Sequence, residues 1–142
     1  MPTIEIPTEY IQTAEEWRIE RATTVDAEHE RRAALGFAFG GKIIQSRAND
    51  LLKITGAATS AGLAVAAGAA TGNLRWADPD NDFVWIAADN STLPLDAPTM
   101  IALGQAAMKH VSDYVFAARS IKDRIIAGED LDPADDALWP EK

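Results

Sequence analysis

Apolar residues recur with helical spacing over the longest patterned segment of the chain, from residue 97 to about residue 127. Most of them lie three or four residues apart, which places them on one face of a helix. Asp96 is a suitable N-cap, and Gly128 marks the end of the helix. The sequence therefore predicts a long helix that forms the main wall of the core. The predicted stripe consists of Ile101, Met108, Val111, Val115, Ala118, Ile121 and Ile125.

A first helix is predicted from about Ala14 to Ala34, because residues 13–16 read Thr-Ala-Glu-Glu and fit a capping box. This segment is rich in charge and has no single apolar stripe. Two interpretations are open: a solvated helix with Trp17 as its one aromatic anchor, or a helix that faces a partner, since helices polar on all sides rarely stand alone.

A second helix is predicted to begin after Ser46, whose hydroxyl suits an N-cap, and to end near Thr71 with Gly72 as its stop. Glycines within it recur every six residues among Ala, Ser and Thr. Glycine weakens a helix but lets another backbone come close, so we predict close helix packing along this segment. The glycines are Gly56, Gly62 and Gly68.

Strand-like segments form two predicted β-hairpins. Residues 36–39 and 42–44 flank Gly40-Gly41, and a two-residue glycine turn suits a tight hairpin. Residues 83–87 and 92–95 flank a turn at residues 89–91. The predicted fold class is α+β: one small antiparallel sheet from two β-hairpins, packed against two long helices and preceded by an N-terminal arm and a charged helix.

The second hairpin is apolar on both faces. Alternation places Phe83 and Trp85 on one face of the strand, and Val84 and Ile86 on the other. One face belongs to the core. The other is covered either by a helix or by another subunit, because a small sheet cannot cover itself.

Three segments follow from these patterns. They are an N-terminal arm with the charged helix (1–35), an α+β domain (36–128) and an acidic C-terminal tail (129–142). Pro2 and Pro7 disfavour helix in the arm, and Pro133 and Pro140 interrupt it in the tail. Leu138 and Trp139 are placed to pin the tail to the body.

Composition narrows the classes of function. The net charge of the 142 residues is -9, most of it in the tail, and no cluster of Lys and Arg offers a phosphate-binding surface. Nucleic acid is therefore not expected as the main partner. The chain has no cysteine, which excludes disulfides, thiolate nucleophiles and Cys-bound zinc.

Two segments of the chain bear on where the protein is located. The first ten residues, MPTIEIPTEY, have neither the basic nor the apolar region of a signal peptide, so we expect the protein to stay in the cytoplasm unless it leaves within a larger assembly. Residues 54–74 carry no charge, but Ala and Gly dominate them and gain little in lipid. A buried helix is favoured there over a membrane span.

Candidate metal chemistry centres on Asp78, Asp80 and Asp82, whose alternation resembles that of a calcium-binding loop. Such a loop needs glycine at its sixth position and glutamate at its twelfth, and this chain has Phe83 and Asp89. A solvated turn is the favoured interpretation, with calcium binding as the alternative.

Other catalytic patterns are incomplete. His110 precedes Asp113 by one helical turn, which would let the carboxylate orient the ring, but no activated nucleophile is recognisable beside it. The acidic residues at 130–136 resemble a pair of glycosidase carboxylates, yet they lie in a terminal segment broken by proline. No phosphate-binding GxxxxGK[ST] motif is present. We therefore predict no catalytic, cofactor-binding or metal-binding residues.

Aromatic residues are the best candidates for contacts with partners, because indole and phenyl rings dominate protein interfaces. The predicted interaction residues are Trp17, Trp76, Phe83, Trp85 and Trp139.

Two stretches carry a resemblance to a known family: RRAALGFAFGGKIIQSRANDLLKITGAA from Arg31, and GNLRWADPDNDFVWIAADNSTLPLDAPTM from Gly72 onward. The sequence resembles a domain of unknown function found in tail-region genes of tailed bacteriophages and prophages, often in proteins associated with tail fibres. The similarity covers roughly residues 31–123. No catalytic residue comes with the resemblance.

The resemblance implies a non-enzymatic structural protein at the tail tip, baseplate or fibre, located in the virion tail and in the host cytoplasm during assembly. Tail or fibre proteins would be its partners, and a homo-oligomer is expected. One alternative is a chaperone that assembles tail fibres in the host cytoplasm. Another is a hydrolase that uses Asp78, Asp80 and Asp82.

Overall fold

A computed structural model describes residues 13–141, and the predicted arm at residues 1–12 lies outside this part. Within it the chain is α+β, as predicted, with three α-helices, two β-hairpins and a 3₁₀ helix near the end. The elements in chain order are α1 (Ala14–Ala33), β1 (Phe37–Phe39), β2 (Lys42–Ile44), α2 (Ala48–Ala66), β3 (Val84–Ile86), β4 (Thr92–Pro94), α3 (Ala97–Ile126) and the 3₁₀ helix Asp136–Leu138.

Helix α3 is the spine of the fold, since α1 and α2 both pack along it. Its N-terminal half contributes Met100 and Leu103 to a first core cluster, which they share with Ile54 of α2. Its C-terminal half contributes Ile121 to a second cluster, which it shares with Val25 of α1. The core is therefore divided between two sites along one helix.

The predicted stripe of α3 is wrong in part. Met108 and Val115 are 62% and 44% exposed. Ile101, Met108 and Val115 each come one position after a buried residue of α3, and one position is a rotation of about 100° around the helix. The buried face starts on a different line and contains Ala97, Met100, Leu103, Ala107, Tyr114, Ala118, Ile121 and Ile125.

Helix α1 begins where the sequence predicts. The Glu16 backbone N–H donates to Thr13 Oγ1 over 3.1 Å, and the Thr13 N–H donates to the Glu16 carboxylate over 3.0 Å. This reciprocal pair is a capping box, which satisfies donors that the first helical turn leaves free.

Helix α2 differs from the prediction at both ends. Its N-cap is Arg47 rather than Ser46, and the Arg47 N–H donates to the Asp50 carboxylate over 3.0 Å. The helix ends at Ala66, before Thr71, because Gly68 adopts a φ of +103°. The following N–H, of Ala69, then donates to the Ala64 carbonyl over 2.9 Å, which is the bond of a Schellman motif.

The glycines of α2 do not mediate the close approach of two helices. Apart from the chain immediately around each glycine, no described atom lies within 4 Å of a Cβ built on Gly56 or Gly62 in α2, or on Gly68 just beyond its end. The close approach is at Gly104 of α3, where a built Cβ would lie 2.6 Å from the Ala58 Cβ. Helix α2 does pack closely on another helix, as predicted. The residues that allow it are Gly104 and Ala58 rather than the glycines of α2.

The two hairpins form separate two-stranded antiparallel sheets in the described chain, not the single sheet predicted. Each strand has three residues, and one backbone bond, from Ala88 N–H to the Ile43 carbonyl over 2.8 Å, joins the hairpins. A single backbone hydrogen bond does not pair two strands, so the hairpins remain separate sheets. No helix among the described residues is long and apolar enough to cross a membrane.

The turn of the first hairpin is predicted correctly, since Gly40 and Gly41 have φ values of +60° and +76°. Positive φ at both positions is the geometry of a type I′ turn. We expect Gly41→Val to lower the free energy of unfolding by about 1 kcal/mol or more, because a β-branched residue is strained there. Urea denaturation measures this. Gly41→Asn is the control, since asparagine tolerates that region better, and equal stability of the valine variant would contradict the assignment.

Candidate protein-binding surfaces

Three of the predicted interaction residues form one aromatic cluster that includes the first strand of the second hairpin. The ring centroids of Trp76 and Phe83 are 4.6 Å apart, and those of Phe83 and Trp85 are 6.4 Å apart. Trp76 Nε1 donates to the Leu95 carbonyl over 2.9 Å. All three rings are half-buried against the first core cluster. The cluster therefore covers part of the first core cluster and leaves part of each ring exposed to solvent.

Trp17 and Trp139 lie apart from that cluster, in the second core cluster. Trp139 is buried, its Nε1 donates to the Pro133 carbonyl over 2.8 Å, and the Arg32 guanidinium lies 5.6 Å from the centre of its ring. Trp17 is half-buried beneath Arg21, whose guanidinium is 4.7 Å from the ring centre. Trp139 thus pins the predicted tail to the body and has little surface left for a partner.

A charge network also fastens the C-terminal segment to α1. The Glu28 carboxylate accepts hydrogen bonds from Arg31 and Arg32 at 2.6 Å each. Arg32 in turn donates to the Asp136 carboxylate over 2.7 Å and to the Ala134 carbonyl over 3.0 Å. The bonds from Arg31 and Arg32 lower the pKa of Glu28 to about 2. These side chains hold the C-terminal segment against α1.

The Glu28 network predicts a loss of stability in acid. Its folded pKa of about 2 lies below the roughly 4.3 of an unfolded glutamate. The unfolded state therefore binds more protons between these values, and the stabilisation present above about pH 5 is lost as the pH falls toward 2. We expect the stability difference between wild type and Glu28→Gln to shrink from pH 6 to pH 2.5, as measured by urea denaturation. A constant difference would contradict the network.

A cleft of about 310 Å³ lies between the first hairpin, α3 and the C-terminal segment, and His110 is at its wall. His110 Nε2 is 2.8 Å from the Ala33 carbonyl and 3.3 Å from Ser46 Oγ. The Ser46 hydroxyl itself donates to that carbonyl over 2.5 Å and accepts from the Gly36 N–H over 3.0 Å. Both side chains satisfy the C-terminal end of α1, whose last carbonyls have no partner within the helix.

The predicted interaction of His110 with Asp113 is not formed. Asp113 instead accepts from Lys109, one turn earlier on α3, over 2.5 Å. The cleft therefore holds a serine and a histidine that are close together but engaged with the main chain. Sequence reasoning missed the role of Ser46, because its partners Ala33 and Gly36 come from the other side of the hairpin.

The three aspartates proposed for calcium do not converge on one point. Asp78 accepts from the Asp80 N–H over 2.9 Å and from the Asn81 amide over 3.0 Å, which is a local turn. Asp82 pairs with Arg75 over 3.2 Å. Between residues 13 and 141, no group of three His, Asp or Glu side chains is arranged to hold a metal ion.

Large apolar side chains are exposed at several places, and three of these surfaces are candidates for partner binding. The sequence predicted one of the three, the apolar outer face of the second hairpin. The α3 surface comprises Met108, Val115 and Phe116, and Phe116 is 71% exposed. The α2 surface comprises Leu52 and Leu63, which are 73% and 70% exposed. The hairpin surface comprises Ile43, Val84 and Ile86, so the outer face of the second hairpin is not covered by a helix of the described chain.

Charged side chains surround the apolar residues of the α3 surface. Lys109 pairs with Asp113, and Arg119 pairs with Asp123 over 3.1 Å. A groove of about 460 Å³ runs beside Phe116. An exposed aromatic ring with a rim of charges is the arrangement typical of a protein interface.

A family model matches most of this chain. The model described as a domain of unknown function (DUF4376) matches residues 16–138, which is most of the chain. The searches of curated proteins and of solved structures gave no significant match.

Proposed function

We propose that this chain, which belongs to the DUF4376 family of domains of unknown function, is a non-enzymatic structural component of a bacteriophage tail that acts through protein–protein contacts. The observation that carries the proposal is the exposure of large apolar side chains on three surfaces of one small domain. The assignment to a phage tail rests on the sequence resemblance described above.

The exposed residues are unusual in their grouping rather than in their number. A single exposed leucine is normal on a protein surface. Here α3 exposes Met108, Val115 and Phe116 within nine residues, and neither α1 nor α2 covers them. Exposed apolar side chains grouped on one element of a folded domain are typical of sites of protein contact. Such a surface supports a function in binding.

The polar groups support the same interpretation. Hydrogen bonds within the chain engage the side chains of His110, Ser46 and Glu28, and these bonds hold its elements together. Over residues 13–141, no buried side-chain nitrogen or oxygen lacks a hydrogen-bond partner. Catalytic sites, in contrast, aim polar groups at a reacting molecule. This use of the polar groups supports the proposal of a scaffold.

Three surfaces on different elements suit a protein that contacts more than one neighbour. Components of a phage tail repeat with symmetry, so one patch can meet a copy of the same chain while another meets a different protein. Tail and fibre proteins are the proposed partners, and the virion tail is the proposed location.

Mass spectrometry of purified particles tests the proposal. We expect peptides of this chain to copurify with tails at a constant ratio to the major tail protein, through density-gradient centrifugation and high-salt washing. Complete absence from washed particles would reject a structural role. If deletion of the gene then left fibre protein misfolded, the alternative of a tail-fibre assembly chaperone would replace the proposal.

A further inference from the structure

Phe116 lies at the centre of a charge pattern that reverses in sign along α3. Asp113 and Lys109 are three and seven residues before it, and Arg119 and Asp123 are three and seven residues after it. Residues three, four and seven apart share one face of a helix. The face therefore reads positive, negative, aromatic, positive, negative.

This order is complementary to itself when one copy is turned around. In an antiparallel pair of α3 helices related by a two-fold axis at Phe116, each residue before the axis meets the residue equally far after it. Asp113 then faces Arg119 of the second copy, and Lys109 faces Asp123 of the second copy. Phe116 meets its own equivalent. A parallel pair in the same register would instead place each charge against its like.

We infer that a second copy of this chain docks on the α3 surface through this antiparallel, two-fold contact centred on Phe116. The inference adds to the proposed function by naming one partner, a second copy of the chain. It rests on the proposed function in one respect, that the α3 surface binds protein. A two-fold contact uses the same patch on both copies, so a patch that is complementary to itself is what it requires.

Exposure of the participating side chains supports the contact. Phe116 is 71% exposed, and the side chains of Lys109 and Arg119 are 77% and 75% exposed. Those of Asp113 and Asp123 are 41% and 58% exposed. Within one chain these charges already form two pairs along the helix. Docking brings each pair against the other pair of the second copy, which makes two clusters of four charges beside the aromatic contact.

The groove beside Phe116 is shallow and open, so it leaves the ring accessible to the second copy. Its lining comprises Phe116, Arg119, Ser120, Asp123 and Arg124 on α3, and Ala127 and Glu129 beyond the helix end. In the antiparallel arrangement, Lys109 of the second copy approaches Asp123 at the edge of this groove. Asp123 is already paired with Arg119 of its own chain, and Glu129 is paired with Arg124, so the approaching lysine adds a second cation to the Asp123 carboxylate.

The size of the contact indicates a weak dimer. One helix packed on another covers less than the roughly 800 Å² per partner of a standard interface. We expect dissociation constants in the range of about 10⁻⁵ to 10⁻⁴ M in solution. Within an assembly the local concentration is higher, and the contact would be occupied there.

Cysteine crosslinking tests the position of the axis, because the chain has no cysteine of its own. We expect Phe116→Cys to form a covalent dimer under mild oxidation, since a residue on a two-fold axis meets itself. Glu20→Cys on the exposed side of α1 is the matched control, because Glu20 lies outside the three apolar surfaces. We expect the first variant to crosslink at least 10-fold faster than the second. Equal rates at 100 μM protein would overturn the inference.

Charge exchange tests the pairing and its direction. Asp113→Arg places Arg against Arg in the dimer, and Arg119→Asp places Asp against Asp, so each variant alone should be monomeric. A mixture of the two variants restores opposite charges at both contacts, and sedimentation equilibrium should detect a heterodimer. The inference would be overturned if each single variant self-associated as strongly as wild type, or if the mixture of the two variants did not associate.

The outcomes for the two proposals are distinguishable. Detection of the chain in particles together with failure of both crosslinking and charge exchange would reject the two-fold contact and leave the structural role intact. Dimerisation in solution together with absence from particles would reject the structural role and retain the contact.

Discussion

Trp139→Ala is expected to lower the free energy of unfolding by about 3–5 kcal/mol, the range for removing a buried aromatic side chain. The indole fills the second core cluster together with Val25 and Tyr114. Its loss leaves a cavity, removes the hydrogen bond to the Pro133 carbonyl and takes the ring away from the Arg32 guanidinium. Urea denaturation followed by circular dichroism measures the change.

Two variants separate the contributions to this effect. Trp139→Phe keeps most of the packing but loses the Nε1 bond, so we expect a smaller loss of about 1–3 kcal/mol. Phe116→Ala removes an exposed aromatic residue, and surface substitutions usually change stability by no more than about 0.5 kcal/mol. A Trp139→Ala variant as stable as Phe116→Ala would show that the C-terminal segment does not pack on α1 and α3.

Gly104→Val is expected to destabilise the domain by about 1–3 kcal/mol, the usual cost of overpacking a core. Even the first carbon of a side chain at this position would lie 2.6 Å from the Ala58 Cβ, well inside van der Waals contact. Helices α2 and α3 would have to move apart to admit valine, and the first core cluster would open. Thermal and urea denaturation of the purified variant measure the loss.

Gly62→Ala is the matched control for Gly104→Val. Gly62 lies inside α2, and no other described atom is within 4 Å of its built Cβ. Because alanine favours helix over glycine by about 1 kcal/mol, we expect this variant to be as stable as wild type or slightly more stable. Destabilisation at Gly62 and tolerance at Gly104 would mean that the glycines of α2, rather than α3, bring the helices together.

Local signals in the sequence predicted the ends of several elements. The capping box at Thr13, the N-cap at Asp96 and the two-glycine turn after Phe39 depend on residues within a few positions of one another. Their hydrogen bonds form in the same way wherever the segment lies in the fold. For these features the sequence contains all the interacting groups.

Features that depend on distant residues were not predictable in the same way. The phase of the buried stripe on α3 depends on where α1 and α2 lie, and the seven-residue repeat of Met108 and Val115 pointed to the wrong line. Ser46 resembles an N-cap locally, yet its hydroxyl serves the end of α1. Whether two hairpins share a sheet depends likewise on a long-range pairing that three-residue strands do not encode.

The candidate surfaces illustrate the same limit. The tryptophans were predicted as contact residues because they are aromatic. Trp139 is nevertheless buried, because the C-terminal segment folds back on α1. Phe116 was not part of the predicted apolar stripe, and no sequence pattern marked it as a contact residue. It is nevertheless the most exposed aromatic ring in the described chain. Only the arrangement of the helices shows which apolar residues are free for contact with another protein.

Incorporation of a surface variant into particles tests the central claim, that exposed apolar side chains of a folded scaffold carry the function. Wild type and a Met108→Ser/Phe116→Ser variant of equal melting temperature would be produced together in infected cells, and mass spectrometry would give their ratio in purified tails. We expect the variant to be depleted at least 10-fold relative to wild type. Equal incorporation of the two proteins would contradict the account.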